Sequence, residues 1–115
     1  MKHDDIINEI YSKLLGEKLY NYEYSIGKKH GECDLFSYYN DNLYIFEVKT
    51  TNNKKHRQKA LEQLERDYKY FSNYYPFKRC WLFYVYSHGC SYRIELINKV
   101  EDLGDLVASY YRGDS

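Results

Sequence analysis

The sequence predicts one α/β (α+β) domain, with a mixed central β-sheet flanked by helices in the order α-β-β-β-α-β-β-α. Apolar residues recur at the helical period in two segments, residues 4–17 and 54–71. The intervening sequence alternates as strands do, and residues 80–86 are apolar on both faces, which is typical of a central strand. A chain of 115 residues has room for one modest core, so we expect residues 1–115 to form a single domain.

The first helix is predicted over residues 4–17, with Asp4 or Asp5 as its cap. Its apolar positions are Ile6, Ile7, Ile10, Tyr11, Leu14 and Leu15. Residues 20–26 follow as a half-buried strand whose shared face carries Tyr20, Tyr22, Tyr24 and Ile26. Residues 27–31, which include two glycines and two lysines, are expected to form a loop that either contacts phosphate or is a plain connection.

The next two strands are predicted to form a hairpin around the polar turn Asn40-Asp41-Asn42. With Asn40-Asp41 as the loop, Tyr39 faces Asn42. The same register sets Phe36 opposite Ile45 and Asp34 opposite Glu47, and the period of two places Lys49 on that face as well.

Asp34 and Glu47 would then be two carboxylates facing each other across neighbouring strands. Such a pair destabilises a sheet unless a positive group lies between the two acids. A divalent cation is the obvious candidate, because hard cations take carboxylate oxygens. The alternative is a solvated pair at the wet end of a hairpin. Apolar residues on both faces of these strands argue against that alternative, because buried charges are normally paired or bound to a metal.

The second half of the chain completes the sheet. A helix is predicted over residues 54–71, with a sheet-facing stripe of Ala60, Leu61, Leu64, Tyr68 and Phe71. A turn at 73–77 leads to the central strand, residues 92–96 form an edge strand, and a short helix over roughly 100–111 closes the domain.

Asp34, followed one strand later by Glu47-Val48-Lys49 after apolar residues, resembles the motif of the PD-(D/E)XK nuclease superfamily. Cys33 stands where the family's motif has a proline. The layout is most similar to that of Holliday-junction resolvases and virus-type replication-repair nucleases, and the resemblance extends from the first helix to about Tyr86. It implies a restriction-endonuclease-like core. It also implies a metal-dependent endonuclease acting on DNA, including branched or flapped DNA in replication, repair or recombination.

The resemblance assigns the catalytic roles to Asp34, Glu47 and Lys49. It implies that Mg²⁺ or Mn²⁺ binds to Asp34 and Glu47 with help from the Val48 carbonyl, while Lys49 orients a water molecule or stabilises developing charge. The alternative for Lys49 is a salt bridge to Asp34 without any metal.

Two further residues are weaker matches to the family. Glu9 resembles a glutamate of the first helix that reaches the metal in resolvase-like members, and its alternative is an ordinary exposed glutamate. Gln63 resembles a glutamine of some nuclease branches, with Tyr68 or Tyr70 as the accompanying tyrosine. On a regular helix, however, Gln63 points away from the apolar stripe, and Gln58 is a competitor nearer the helix start.

The formal net charge is zero, but the basic residues are clustered. Between residues 49 and 59 there are five lysines and arginines and no acid, which is a local patch suited to a phosphate backbone. The alternative is a solvated helix start. DNA is the expected partner and RNA stays open. The candidate nucleic-acid-binding residues are Lys28, Lys29, Lys54, Lys55, Arg57 and Lys59.

Cys33, Cys80 and Cys90 are odd in number and scattered, which indicates a reduced, intracellular setting: the cytoplasm, or the host cell if the protein is viral. No apolar run is long enough to span a bilayer, and no membrane partner is expected. A resolvase would need a homodimer, for which the edge over 84–97 is a candidate. Two other classes stay open: a catalytically inactive nuclease-fold nucleic-acid-binding protein and a protein-interaction module.

Overall fold

A computed structural model of the chain describes residues 1–101, which form one five-stranded sheet and two helices. The elements are α1 (His3–Lys13), β1 (Glu17–Ile26), β2 (Lys29–Tyr39), β3 (Asn42–Lys49), α2 (Lys54–Phe71), β4 (Arg79–His88) and β5 (Ser91–Glu101). Along the chain, the described elements follow one another as α-β-β-β-α-β-β. The predicted closing helix cannot begin at Val100, because β5 continues to Glu101, and the rest of it lies outside the described residues.

The sheet has the strand order β1-β2-β3-β4-β5, with β3 at its centre. The α2 crossover makes β3 and β4 parallel, whereas all other neighbours are antiparallel, so the sheet is mixed as predicted. The two helices pack on opposite faces. Ile6, Ile7 and Ile10 of α1 meet Phe46 and Val48, and the α2 side chains meet the alternate positions of β3, Leu43 and Ile45.

Helix α2 begins and ends where the sequence predicts. The Asn53 side chain accepts a 2.8 Å hydrogen bond from the His56 backbone N–H and caps the first turn. Its buried face carries Ala60, Leu64 and Phe71, and the Phe71 ring stacks on Phe36 of β2 with 4.2 Å between ring centroids. This packing holds α2 across β2 and β3.

The β2–β3 hairpin has the predicted register. Asn40 and Asp41 have φ values of 51° and 62°, the left-handed pair that a tight hairpin turn requires. Tyr39 pairs with Asn42 and Phe36 pairs with Ile45. The ladder ends at Leu35–Phe46, one step before the position where this register sets Asp34 opposite Glu47.

The predictions for β1 need correction. Leu19 and Tyr22 pack together on the α2 side, whereas Tyr20 makes an edge contact with Tyr11 of α1, so Tyr20 and Tyr22 face opposite sides. The cause is Asn21, whose φ of 46° interrupts the alternation and which is missing from the β1–β2 ladder.

The elements next to β1 also have bounds that differ from the prediction. Helix α1 ends at Lys13 rather than at residue 17, and its N-cap is Lys2 without a side-chain hydrogen bond. Asp4 and Asp5 lie in its first turn, where acids favour the helix dipole. The loop predicted over residues 27–31 is only a two-residue turn, because β2 already begins at Lys29.

Two expectations about the chain as a whole can be compared with the described residues. No helix within residues 1–101 has both the length and the apolar character needed to cross a membrane. Cys33 and Cys80 are buried, Cys90 is exposed, and all three thiols are free.

Candidate active site

Asp34 lies where β2 and β3 separate, and its side chain is buried with a residue exposure of 6%. One carboxylate oxygen accepts a 2.8 Å hydrogen bond from the Val48 backbone N–H, which has no ladder partner on β2 at this point. The same oxygen lies 3.5 Å from Nε2 of His3, at the start of α1. The Asp34 carboxylate therefore takes the place of a β2 carbonyl as the acceptor for the Val48 N–H. This hydrogen bond fixes the carboxylate between the two strands.

Glu47 is the buried acid of the central strand, with a residue exposure of 5%. Its Oε1 atom lies 3.5 Å from the Lys49 ammonium, and its Oε2 atom has no hydrogen-bond partner among the described residues. Burial, followed by the negative charges of Asp34 and Asp67, raises the pKa of the Glu47 carboxyl to about 10. Lys49 thus pairs with Glu47, and the predicted alternative of a salt bridge to Asp34 is replaced by this contact.

Asp67 is a third buried acid, which the sequence analysis missed. It lies on the sheet-facing side of α2 with 0% exposure, and one of its oxygens accepts hydrogen bonds from the Tyr24 hydroxyl at 2.5 Å and from Nε2 of Gln63 at 2.8 Å. Burial raises the pKa of its carboxyl to about 7. The signal was available: an aspartate at a helical spacing shared with Leu64 and Phe71 is a charge in an apolar stripe.

Gln63 lies beside this acid, contrary to the prediction that its side chain points away from the sheet. Its amide donates to Asp67 and, at 3.3 Å, to the Tyr24 hydroxyl. It also lines an open cavity of about 400 Å³ with four residues of the β1–β2 hairpin: Glu23, His30, Gly31 and Glu32. The competitor Gln58 is exposed and contacts Glu62 instead.

Glu9 does not join the acids. Its side chain is exposed and lies 3.5 Å from the Lys13 ammonium on the outer face of α1. The residue of α1 that reaches Asp34 is His3, six residues and nearly two turns before the predicted position. The prediction fails because the buried stripe of Ile6, Ile7 and Ile10 turns Glu9 toward solvent.

The basic residues project from the same end of the sheet as Lys49. Lys28 and Lys29 lie at the β1–β2 turn, and Lys54 and Lys55 begin α2 directly after β3; all four are exposed, as is Lys59 further along the helix. Arg57 differs, because its guanidinium makes two 2.7 Å hydrogen bonds to the Glu95 carboxylate. The five lysines are therefore free to meet a phosphate backbone, whereas Arg57 ties α2 to β5.

The donor set suits a hard divalent cation. Two buried carboxylate oxygens, one on Glu47 and one on Asp67, have no hydrogen-bond partner within residues 1–101. In that part of the chain, no three acidic, histidine or cysteine side chains already converge on one point. Mg²⁺ does not require such a cage, because it is usually held by one or two carboxylates together with water and substrate phosphate oxygens.

The ion-free protein should lose stability as the pH rises. The pKa of Asp67 is raised from 3.8 to about 7 and that of Glu47 from 4.5 to about 10, so the unfolded chain releases these protons at lower pH than the folded protein. Below the ordinary pKa values of both acids, the two side chains are protonated in the folded and the unfolded protein, so they do not make the stability depend on pH. Above them, we expect the urea midpoint in EDTA to fall progressively until both raised pKa values are passed. Asp67→Asn should remove the share of the slope that Asp67 contributes between its ordinary pKa of 3.8 and its raised pKa of about 7, and leave the share that Glu47 contributes. A midpoint that rises with pH over this range would contradict the assignment.

Gly31 is required for the Tyr24–Asp67 hydrogen bond. A Cβ atom at Gly31 would lie 2.4 Å from Cζ and 2.6 Å from the hydroxyl oxygen of Tyr24, whose ring crosses over the strand at this point. We expect Gly31→Ala to cost about 1–3 kcal/mol of unfolding free energy, because the displaced hydroxyl leaves a buried carboxylate with one bond fewer. Urea denaturation measures this cost. In a Tyr24→Leu background the same change should cost far less, and an equal cost in both backgrounds would exclude this contact as the cause.

No protein-family model, no curated protein and no solved structure matches this chain. The functional conclusion therefore depends on the site itself.

Proposed function

We propose that this chain is a divalent-metal-dependent endonuclease that hydrolyses phosphodiester bonds of DNA, with a restriction-endonuclease-like core of the PD-(D/E)XK type. The observation that carries the proposal is the buried Glu47 carboxylate, which lies between Asp34 and Lys49 with one oxygen unpartnered. A charge in the central strand of a small sheet is costly, and such costs are concentrated at functional sites.

Asp34 and Glu47, with the Val48 carbonyl, are the groups that would hold Mg²⁺ or Mn²⁺. When bound, such an ion polarises a phosphate oxygen and lowers the pKa of a water ligand. The Val48 N–H holds the Asp34 carboxylate in place. Lys49 contributes a fixed positive charge on the Glu47 side of the sheet, where it would orient the attacking water or stabilise charge on the phosphate.

The exposed lysines at the same end of the sheet supply the contacts to the nucleic acid. Lys28, Lys29, Lys54 and Lys55 flank the acids in the fold, and Lys59 continues the patch along α2. Because the formal net charge of the chain is zero, this local patch has to provide the attraction. Binding should therefore weaken steeply with salt. Arg57 is left out of the proposed surface because Glu95 occupies its guanidinium.

A catalytically inactive nucleic-acid-binding protein is the second candidate. The observation that favours it is that both strand acids have a basic neighbour, His3 for Asp34 and Lys49 for Glu47. These two contacts can stabilise the buried acids without a metal ion.

A cleavage assay separates the candidates. End-labelled duplex, single-stranded, flapped and four-way DNA, with a matched RNA, is incubated with the protein in Mg²⁺, in Mn²⁺ or in EDTA. Cleavage that requires the metal supports the proposal. DNA binding without cleavage on any substrate would select the inactive binder, and the absence of both would select a protein-interaction module. Paired, symmetric cuts in the four-way junction would indicate a homodimer.

A further inference from the structure

Asp67 is the most deeply buried charged group among the described residues, and nothing in the strand motif accounts for it. Tyr24 and Gln63 both bond to its Oδ1 atom, which leaves Oδ2 buried with no hydrogen bond. No lysine or arginine within residues 1–101 forms an ion pair with it. A buried carboxylate with a free oxygen and no counter-charge calls for a cation.

Glu47 is the other acid among the described residues with such an oxygen. Its Oε2 atom is buried and unpartnered, and Glu47 continues the face of β3 that carries Leu43 and Ile45, on which α2 packs. Asp67 is buried on the side of α2 that covers this face. The two acids come from different elements, the central strand β3 and the crossover helix α2. Their juxtaposition is therefore a product of the fold rather than of local sequence.

We propose that Asp67 is a third carboxylate of the metal site, so that the divalent ion is held by α2 as well as by the two strands. This inference rests on the proposed function and adds a residue that the Asp-Glu-Lys motif does not contain.

The hydrogen bonds explain how such a site would be assembled. No three acidic, histidine or cysteine side chains within residues 1–101 form a ready-made cage, so the carboxylates would hold the ion together with water and phosphate oxygens, as is usual for Mg²⁺. Oδ2 of Asp67 and Oε2 of Glu47 have no hydrogen bond, so each oxygen is available to a cation. Tyr24 and Gln63 hold the other Asp67 oxygen, as the neighbours of a metal ligand do when they fix its orientation.

Calorimetric titration with Mn²⁺ tests the assignment without any substrate. The variants are Asp67→Asn and, as the matched control, Glu65→Gln, which alters an exposed acid of the same helix that pairs with Lys69. We expect about ten- to hundredfold weaker Mn²⁺ binding for Asp67→Asn and unchanged binding for Glu65→Gln. A melting temperature measured with and without Mn²⁺ gives a second readout, because a merely structural Asp67 would change the ion-free value but not the rise on adding the ion.

The outcomes distinguish this inference from the proposed function. Equal Mn²⁺ affinity of Asp67→Asn and the unaltered protein would overturn the role of Asp67 and leave the two-carboxylate site intact. Absence of Mn²⁺ binding by the unaltered protein would overturn both.

A measurement on the unaltered protein covers the case in which Asp67→Asn does not fold. The NMR signals of the Gln63 side-chain amide should shift on titration with Mg²⁺, because its acceptor is Asp67, whereas those of the exposed Gln58 amide should stay. Unmoved Gln63 signals in an ion-bound protein would overturn the inference.

Discussion

Lys49→Ala should reduce metal-dependent DNA cleavage by about 10²- to 10³-fold while leaving Mn²⁺ and DNA binding mostly intact. The Lys49 side chain is 28% exposed and its ammonium lies 3.5 Å from Glu47, so its charge is fixed beside the acids and partly withdrawn from solvent. A charge held in this way stabilises a transition state more than a solvated one does, because it needs no rearrangement during the reaction. Single-turnover cleavage rates and Mn²⁺ calorimetry on the same variant measure the two effects separately.

Lys69→Ala is the matched control for this variant. Lys69 pairs with Glu65 at a similar distance, 3.3 Å, but both side chains are exposed on the outer side of α2. The control should cleave at the unaltered rate. Full activity of Lys49→Ala would remove Lys49 from the mechanism, and a loss of Mn²⁺ binding equal to the loss of cleavage would reassign it to assembly of the ion site.

The elements that could be predicted are those whose signals are local. The bounds of α2 follow from the Asn53 cap and the apolar stripe, and the β2–β3 register follows from Asn40 and Asp41 at the turn. Each signal is contained within a few residues, so the sequence alone is enough to read it.

The faces of β1 could not be predicted, because they depend on one backbone angle. Asn21 is an acceptable strand residue by pattern, and only its φ of 46° reveals that Tyr20 and Tyr22 face opposite sides. Asparagine adopts this conformation more readily than most residues, but the sequence does not show which asparagine will do so.

The site was predictable where it lies on adjacent strands and not where helices contribute. Asp34 and Glu47 are related by the register of one hairpin. His3 approaches Asp34, and Asp67 becomes buried against the sheet, only after α1 and α2 have packed on opposite faces. Asp67 could have been predicted as a candidate site residue, because it is a charged residue within the apolar stripe of α2, just as Glu47 is a charged residue within an apolar strand. The choice of His3 over Glu9 depends on how α1 packs on the sheet, because the buried residues Ile6, Ile7 and Ile10 fix which side chains of the helix face the strands.

Glu47→Gln should change stability and function in opposite directions. Burial and the neighbouring charges raise the pKa of Glu47 to about 10, so the acid destabilises the ion-free fold near neutral pH. Glutamine has a similar shape and no charge, and we expect a gain of about 1–4 kcal/mol in unfolding free energy in EDTA. The same change removes an oxygen donor, so Mn²⁺ binding and cleavage should both be lost. Urea denaturation in EDTA and Mn²⁺ calorimetry measure the two halves of the prediction.

Glu95→Gln is the chemically identical change in the opposite environment. The Arg57 guanidinium lowers the pKa of Glu95 through their hydrogen bonds, so loss of this carboxylate should slightly destabilise the fold and leave Mn²⁺ binding unchanged. If Glu47 served only to stabilise the fold, its change to glutamine would likewise lower stability and leave Mn²⁺ binding unchanged. If Glu47→Gln also destabilises the protein in EDTA and leaves Mn²⁺ affinity unchanged, then Glu47 stabilises the fold and does not bind the ion.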